Sequence, residues 1–353
     1  MKKLVLATAI SLSFLTVPAM AATTATSLDN FFTKDGVVVD ENNYPVMETS
    51  RQMLKNQDLV GVNNLLHKRE LTPTDKQPVV RMNRDTYYSM ALVDVSKGAT
   101  ITLPEIPDGK YMSLEVVTED HRVQAMKYGA GTYNLTTHSG EHVYLIVRLD
   151  ATFTKDEVRK YQDQISISAN SNNKFDAVAV DKASFDKTED ALKAQAPLML
   201  KENPLDATFG MFTDPRDDSK EMFTKQKYAV GAAVGWGGAQ LRDNIYELSP
   251  NFADDKCYQM TFEDPQNDAF WSITVYDQKG FMFKDLANIS SNTATANEDG
   301  TYTVSFGCGA DAPNNLEIDN PTGKFNMAAR HYIPSKKVRD EGYRLLPFFK
   351  EVK

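Results

Sequence analysis

The alternation of hydrophobic and polar positions divides the chain into two β-rich stretches, with helical segments before and between them. Apolar residues recur at every second position in short runs: 90–93, 99–103, 111–118 and 142–149 in the first stretch, and 258–262, 270–276, 301–306 and 325–332 in the second. Turn signals containing glycine separate the runs of the first stretch at intervals of about ten residues, a spacing typical of an antiparallel sandwich or barrel. The pattern therefore predicts two β-rich halves.

Helical patterns fill the remainder. They are residues 46–70, a helix that starts at a Thr154/Glu157 capping box and ends near Gln162, a helix that starts at an Asp186/Glu189 capping box, and residues 218–234. We therefore expect a helical connector between the β-rich halves. The predicted domains are residues 22–195, a helical segment with a β-sandwich, and residues 196–353, a connector with a second β-sandwich.

The N-terminus has the pattern of a cleavable signal peptide. Lys2 and Lys3 precede an uncharged, mostly apolar run at 4–17, and residues 19–21 place alanines at the two positions that a signal peptidase recognises. The apolar run is shorter than the roughly 20 residues that span a bilayer. We expect residues 1–21 to be removed and the mature protein to be periplasmic or secreted, with no membrane span.

Charge narrows the choice of partners. The net charge is −9 at pH 7, and −11 once Lys2 and Lys3 are removed. An acidic surface repels phosphate backbones, so the composition disfavours nucleic-acid binding.

Two cysteines, Cys257 and Cys308, are present, and neither belongs to a Cys-x-x-Cys motif. A pair of cysteines in an exported protein can form a disulfide, and each lies in or beside a predicted strand. Two buried thiols that never meet is the alternative, and the sequence does not decide between them.

Common catalytic and cofactor motifs are missing from the sequence. It contains no Gly-x-Ser-x-Gly elbow and no Gly-x-Gly-x-x-Gly or Walker loop, so we expect no nucleotide cofactor. His138 and His142 have the four-residue spacing of a helical zinc site, but Ser139 and Gly140 between them favour a hairpin turn. We expect no metal site.

The densest polar motif is residues 83–89, which enter the first clear strand. Arg84 beside Asp85 could clamp a polar ligand, and Asn83, Tyr87 and Tyr88 could line its pocket. Asp85 could also act as a general base. The alternative is a buried polar network that satisfies backbone groups where the strand starts.

A second cluster covers residues 270–277. Alternation places Trp271, Ile273 and Val275 on one face, and Ser272, Thr274 and Tyr276 on the other. Such an aromatic strand is either core or, if a ring is exposed, a platform on which a sugar stacks. Trp236, Arg330 and Tyr332 are further candidate ligand-binding residues.

These motifs together resemble a known family of exported bacterial proteins. Residues 83–89, 103–104 and 109–111 are similar to the domain of unknown function 1254, and residues 270–277, 288, 299–300, 321–325 and 330–334 to its C-terminal companion, domain 1214. The resemblance implies a mainly β fold with two jelly-roll-like antiparallel β-sandwich domains, and it implies no established reaction.

Three functions remain open, the last of which is a structural envelope protein with no small ligand. The first is a binding or assembly protein, expected to be a homo-oligomer, that takes a small polar or glycan-like ligand. The second is a carboxylate-based hydrolase of such a substrate, with Asp85, Asp120 or Asp277 as acid or base. The sequence does not decide whether the protein is an enzyme.

Overall fold

The computed structural model describes residues 23–77, 80–202, 208–214, 216 and 224–352. The predicted signal peptide, residues 1–21, lies outside the described residues. The described chain is mainly β and contains two antiparallel β-sandwiches with helices between them. The predicted fold class, two jelly-roll-like antiparallel β-sandwich domains with a helical connector, is confirmed.

The strands of the first half are β1 (Thr24–Ala25), β2 (Phe32–Thr33), β3 (Leu66–Lys68), β4 (Thr86–Asp94), β5 (Ala99–Leu103), β6 (Met112–Thr118), β7 (Lys127–Tyr128), β8 (Gly131–Leu135), β9 (His142–Asp150), β10 (Ser166–Ala169), β11 (Ala177–Val178) and β12 (Val180–Asp181). Those of the second half are β13 (Asn244–Leu248), β14 (Phe252–Ala253), β15 (Tyr258–Glu263), β16 (Phe270–Asp277), β17 (Asn288–Ser290), β18 (Thr301–Phe306), β19 (Asn315–Leu316), β20 (Lys324–Tyr332) and β21 (Lys350–Glu351). The α-helices are α1 (Tyr44–Val60), α2 (Lys155–Gln162), α3 (Lys182–Glu202), α4 (Lys225–Gly235) and α5 (Lys336–Arg339).

The first sandwich packs a sheet of order β3-β4-β9-β6-β7, here called the first inner sheet, on a sheet of order β10-β5-β8. Alternation along β9 decides which of its side chains enter the core of the first sandwich. Val143, Leu145 and Val147 pack inside the sandwich, whereas Ile146 and Arg148 lie on the opposite face.

The second sandwich packs a sheet of order β13-β20-β16-β17, the second inner sheet, on a sheet of order β19-β18-β15-β21. Trp271, Ile273 and Val275 of β16 lie in its core, as the alternation predicts. Ser272 and Thr274 are also buried, but they face away from the sandwich. Both faces of β16 are therefore covered.

Helices cover one end of the outward face of the first inner sheet. There α1 and α4 pack on Leu92, Tyr144 and Ile146, and α3 packs on α4. The other end of that face carries polar side chains and lies against the second sandwich. One sheet face thus serves two different contacts.

The helix boundaries correct part of the sequence analysis. Helix α1 ends at Val60 and is capped by Gly61, whose φ of 81° favours glycine. Strand β3 follows, so the predicted helix over 60–70 is wrong beyond Val60. The box at Asp186 does not start α3, which begins at Lys182. The capping box of α2 is present, and the predicted helix over 218–234 overlaps α4, with residues 217–223 outside the described part of the chain.

Cys257 and Cys308 flank the paired strands β15 and β18 and are joined by a disulfide, with their Cα atoms 4.6 Å apart. Among the helices that the structure describes, none has the length and apolar character needed to cross a bilayer.

Candidate functional site

Polar side chains occupy the contact between the two inner sheets. We call this contact the inter-domain layer. Its residues are Tyr88, Glu115 and Arg148 from the first inner sheet, Tyr246, Ser272, Arg330 and Tyr332 from the second, and Asp85 from the loop before β4.

Asp85 joins the two sandwiches. Its buried carboxylate accepts three hydrogen bonds from the second inner sheet: from the Ser272 hydroxyl at 2.8 Å, the Tyr332 hydroxyl at 2.9 Å and Asn288 Nδ2 at 3.0 Å. Three donors offset the cost of burying the carboxylate.

Asn83 connects Asp85 to Tyr88. Its Oδ1 accepts the backbone N–H of Asp85 at 3.1 Å, and its Nδ2 donates to the Tyr88 hydroxyl at 2.9 Å. Tyr88 is half-buried, as is Tyr246 on the facing sheet. As whole residues, these two tyrosines are less buried than the charged groups around them.

A polar row crosses the second inner sheet at Arg330, which pairs with Tyr246 on one side and Ser272 on the other. The buried guanidinium donates to Thr274 Oγ1 at 3.0 Å, the Tyr276 hydroxyl at 2.7 Å and the Arg81 carbonyl at 2.9 Å. Burial alone would lower the pKa of Arg330, but the oxygens of Tyr276, Tyr332 and Asp85 raise it above its ordinary value. Arg330 is therefore a permanent positive charge.

Glu115 and Arg148 form a buried ion pair on the first inner sheet. Arg148 also donates to the Gly237 carbonyl at 3.3 Å, and its guanidinium lies 5.7 Å from the Tyr88 ring centroid. Burial raises the pKa of Glu115, and Arg148 opposes that change. Arg148 bonds only one carboxylate oxygen, and Glu115 Oε1 has no hydrogen-bond partner in the described part of the chain.

Aromatic rings close one edge of the layer. Tyr111 packs edge-on against Phe270 and Tyr332, each with ring centroids 5.5 Å away, and its hydroxyl donates to Ser113 at 3.0 Å. Burial raises the pKa of Tyr111, so the phenol stays protonated. Outside these rings lies a cleft of about 360 Å³, lined by residues 105–112, 128–130, 268–270 and Ile333. Both domains contribute to its walls.

The structure brings five of the predicted site residues together: Asn83, Asp85, Tyr88, Arg330 and Tyr332. It places Arg84 at the margin, where Nη1 donates to the Thr72 carbonyl at 2.7 Å. Tyr87 points the other way, into the core of the first sandwich. Alternation along β4 explains why neighbouring tyrosines have opposite surroundings.

Trp236 lies beside the layer without entering it. Its Nε1 donates to Thr49 Oγ1 at 2.9 Å, and its ring stacks on His121 and meets Tyr144 edge-on. These contacts belong to the core between the first inner sheet and helices α1 and α4. Its neighbour Gly237 supplies the carbonyl that Arg148 bonds.

The other two candidate carboxylates lie in separate networks. Asp120 contacts His138 Nε2 at 2.8 Å near the surface. Asp277 accepts the backbone N–H groups of Lys279 and Phe281 and so supports the turn after β16. The structure does not bring Asp85, Asp120 and Asp277 into one site.

Sequence reasoning missed Glu115, Arg148 and Tyr246. The first two carried a signal, because each is a charged residue within an otherwise apolar strand. In the described residues, no three His, Cys, Asp or Glu side chains come together as a metal ion would require.

Comparison with known proteins confirms the resemblance inferred from the motifs. The model described as "Protein of unknown function (DUF1254)" matches residues 62–201, and that described as "Protein of unknown function (DUF1214)" matches residues 249–336. No curated protein matches the chain. The inter-domain layer takes residues from both matched regions.

Two solved structures share the fold. The VPA0106 protein from Vibrio parahaemolyticus is 17% identical, with a TM-score of 0.64, and the match covers 89% of this chain and 98% of that one. An uncharacterised protein from Burkholderia cenocepacia is 10% identical, with a TM-score of 0.50, covering 88% and 86% respectively. At these identities the likeness concerns the fold alone.

Proposed function

Because the chain carries DUF1254 followed by DUF1214, two domains without an established activity, we propose from its own geometry that it binds a small polar ligand between them. The observation that carries the proposal is the chemistry of the inter-domain layer. Asp85, Glu115, Arg148 and Arg330 are all buried there. Burying charges costs stability, and apolar side chains of similar volume would hold two domains together at least as well.

A cleft beside the layer supports the same proposal. The cleft of about 360 Å³ lies directly outside Tyr111 and Phe270, and its volume is in the range of small-molecule sites. Sites of this kind commonly lie between domains, with a few polar groups that orient the ligand.

We also propose that the protein works in an oxidising compartment, either periplasmic or extracellular. The Cys257–Cys308 disulfide supports this location, because such bonds persist outside the reducing cytosol. The homo-oligomer expected from the sequence stays a prediction.

A thermal-shift screen of residues 22–353 against neutral sugars and polyols, amino sugars and small carboxylic acids tests the binding proposal. A compound that binds only the folded protein raises its melting temperature. We expect at least one such compound, and we expect Tyr88→Phe to reduce its shift by more than half, because the phenol borders the layer.

Tyr87→Phe is the matched control, since it removes the same hydroxyl from the adjacent tyrosine on the opposite face of β4. It should leave the shift unchanged. A screen in which no compound of any class raises the melting temperature would contradict the proposal, as would equal effects of the two variants.

A further inference from the structure

We infer that the ligand of the inter-domain layer is uncharged and donates hydrogen bonds, as a sugar or another polyol does. This inference rests on the proposed function and specifies the class of molecule that the site takes. It comes from three features of the layer and its surroundings: unpartnered acceptor atoms, balanced charges and half-buried tyrosine residues.

Three buried oxygens, one in the layer and two beside it, lack hydrogen-bond partners among the described residues. They are Glu115 Oε1, Asn244 Oδ1 and Thr86 Oγ1. Thr86 lies on the same face of β4 as Tyr88, and Asn244 on the same face of β13 as Tyr246. All three side chains are more than nine-tenths buried. Leaving such a buried polar atom without a hydrogen bond is costly. A bound molecule with hydroxyl groups would supply the missing donors.

Glu115 and Asn244 lie on the outward faces of opposite inner sheets. Tyr246 is two residues from Asn244 on the same face of β13, and it pairs with Arg330 on the neighbouring strand. Burial raises the pKa of Tyr246, on which the charges of Arg148, Arg330 and Glu115 also act. The unpartnered oxygens thus lie on both sides of the layer.

The layer as defined holds two cations and two carboxylates, and Arg81 and Asp243 add one group of each sign beside it. Arg148 pairs with Glu115, and Asp85 is a carboxylate whose field acts on Arg330. An anionic ligand would have to compete with Glu115 for Arg148, or to enter beside the Asp85 carboxylate. A cationic ligand would meet the two guanidinium groups. Binding of either would leave a net buried charge, which a neutral molecule avoids.

Tyr88 and Tyr246 add apolar surface. Both residues are half-buried, and they lie on the outward faces of the two inner sheets. The C–H faces of a sugar ring can pack on such rings while its hydroxyl groups reach the surrounding polar atoms. A rigid polyol therefore fits the layer better than a fully solvated ion.

Calorimetric titration with neutral and charged sugars of similar shape tests whether the ligand is uncharged. The neutral probes are glucose, galactose, N-acetylglucosamine and myo-inositol; the charged probes are glucuronate, galacturonate, glucosamine and galactosamine. We expect at least one neutral probe to bind about tenfold or more tightly than its charged counterparts, because the charged group enters a balanced, buried site.

The variant Thr86→Val tests whether the Thr86 hydroxyl bonds the ligand. The Thr86 hydroxyl has no partner in the described protein, so its removal should leave the melting temperature of the free protein unchanged or slightly higher. A hydroxyl with a structural role would lower it instead. The same variant should weaken binding of the neutral probe on the order of tenfold, because one ligand hydrogen bond is lost.

Asn244→Ala should weaken binding by a similar factor, and Asn134→Ala, at an exposed asparagine on β8, should not. Two results would overturn the inference while leaving the proposed function intact: tighter binding of a charged probe than of every neutral one, or unchanged sugar affinity in both Thr86→Val and Asn244→Ala. If no probe and no compound of the wider screen binds, the proposed function fails as well.

Discussion

The interiors of the two sandwiches and the layer between them are buried to a similar degree but differ in chemistry. Inside the second sandwich, Trp271, Ile273 and Val275 pack on other apolar side chains. On the reverse face of the same strand, Ser272 donates to Asp85 and Thr274 accepts from Arg330. Hydrophobic packing stabilises the first region, whereas specific polar partners define the second. The comparison separates the residues that hold the fold from those available to a ligand.

The largest expected effect comes from removing half of the buried ion pair. Arg148→Met should lower the free energy of unfolding by about 3 to 5 kcal/mol, because Glu115 is left buried without its cation. Urea titration measures the loss.

The double variant Arg148→Met, Glu115→Leu should return to within about 1 kcal/mol of the native protein, since an apolar pair of similar volume replaces the charges. Ligand binding, in contrast, should stay impaired. A double variant that is as unstable as Arg148→Met would show that the pair serves the fold itself.

Two adjacent residues of β16 allow the core of the sandwich and the inter-domain layer to be compared within one strand. Ile273→Ala should cost about 2 to 5 kcal/mol, because it leaves a cavity in the second sandwich. Ser272→Ala should cost about 1.5 to 3 kcal/mol, since it removes one hydrogen bond to the Asp85 carboxylate, which keeps two others. Thermal and urea unfolding give both values.

Only Ser272→Ala should alter ligand affinity. If Ile273→Ala weakens binding as strongly as Ser272→Ala once stability is taken into account, the two faces of the strand are not functionally distinct.

The smallest expected effect on stability comes from His142, which, like Arg148, lies on β9 beside a glutamate. His142 Nδ1 lies 3.6 Å from Glu119, and Nε2 contacts the Asn173 carbonyl at 3.0 Å. Burial alone would lower the pKa of His142, but these contacts raise it above 6.5. The stabilisation is therefore full below pH 6.5 and is lost as the pH rises through the folded-state pKa.

Arg148, in contrast, stays charged over this range. Between pH 6 and pH 8 we expect the native protein to lose about 1 kcal/mol or less of its free energy of unfolding through His142. We expect His142→Gln not to show this loss. Urea titrations at several pH values measure it, and an equal pH dependence in the variant would assign the effect to another group.

The sequence predicted the sandwiches better than the layer, for a physical reason. The period-two alternation at 270–277 identified both faces of β16, because strand geometry is local. Which outward face meets which depends on contacts between residues far apart in the chain, such as Asp85 and Tyr332. Alternation alone separates Tyr87 from Tyr88, but only the fold shows which of them borders the layer.

The candidate site shows the same limit. Three of the predicted site residues in the motif at 83–89 lie in or beside the layer, but their neighbours Glu115 and Arg148 come from strands whose pattern indicated only apolar alternation. Trp236 was selected because glycines flank it, and in the structure its ring stacks on His121 while its Nε1 donates to Thr49.

The Asp85 carboxylate has a mechanical consequence. Its three donors come from β16, β17 and β20, which are neighbouring strands of one sheet. Separating the domains at this point must break three hydrogen bonds together and expose a charge whose partners are lost at the same moment. Each bond that breaks reduces the compensation for the buried carboxylate, so a separation of the domains at this point is costly.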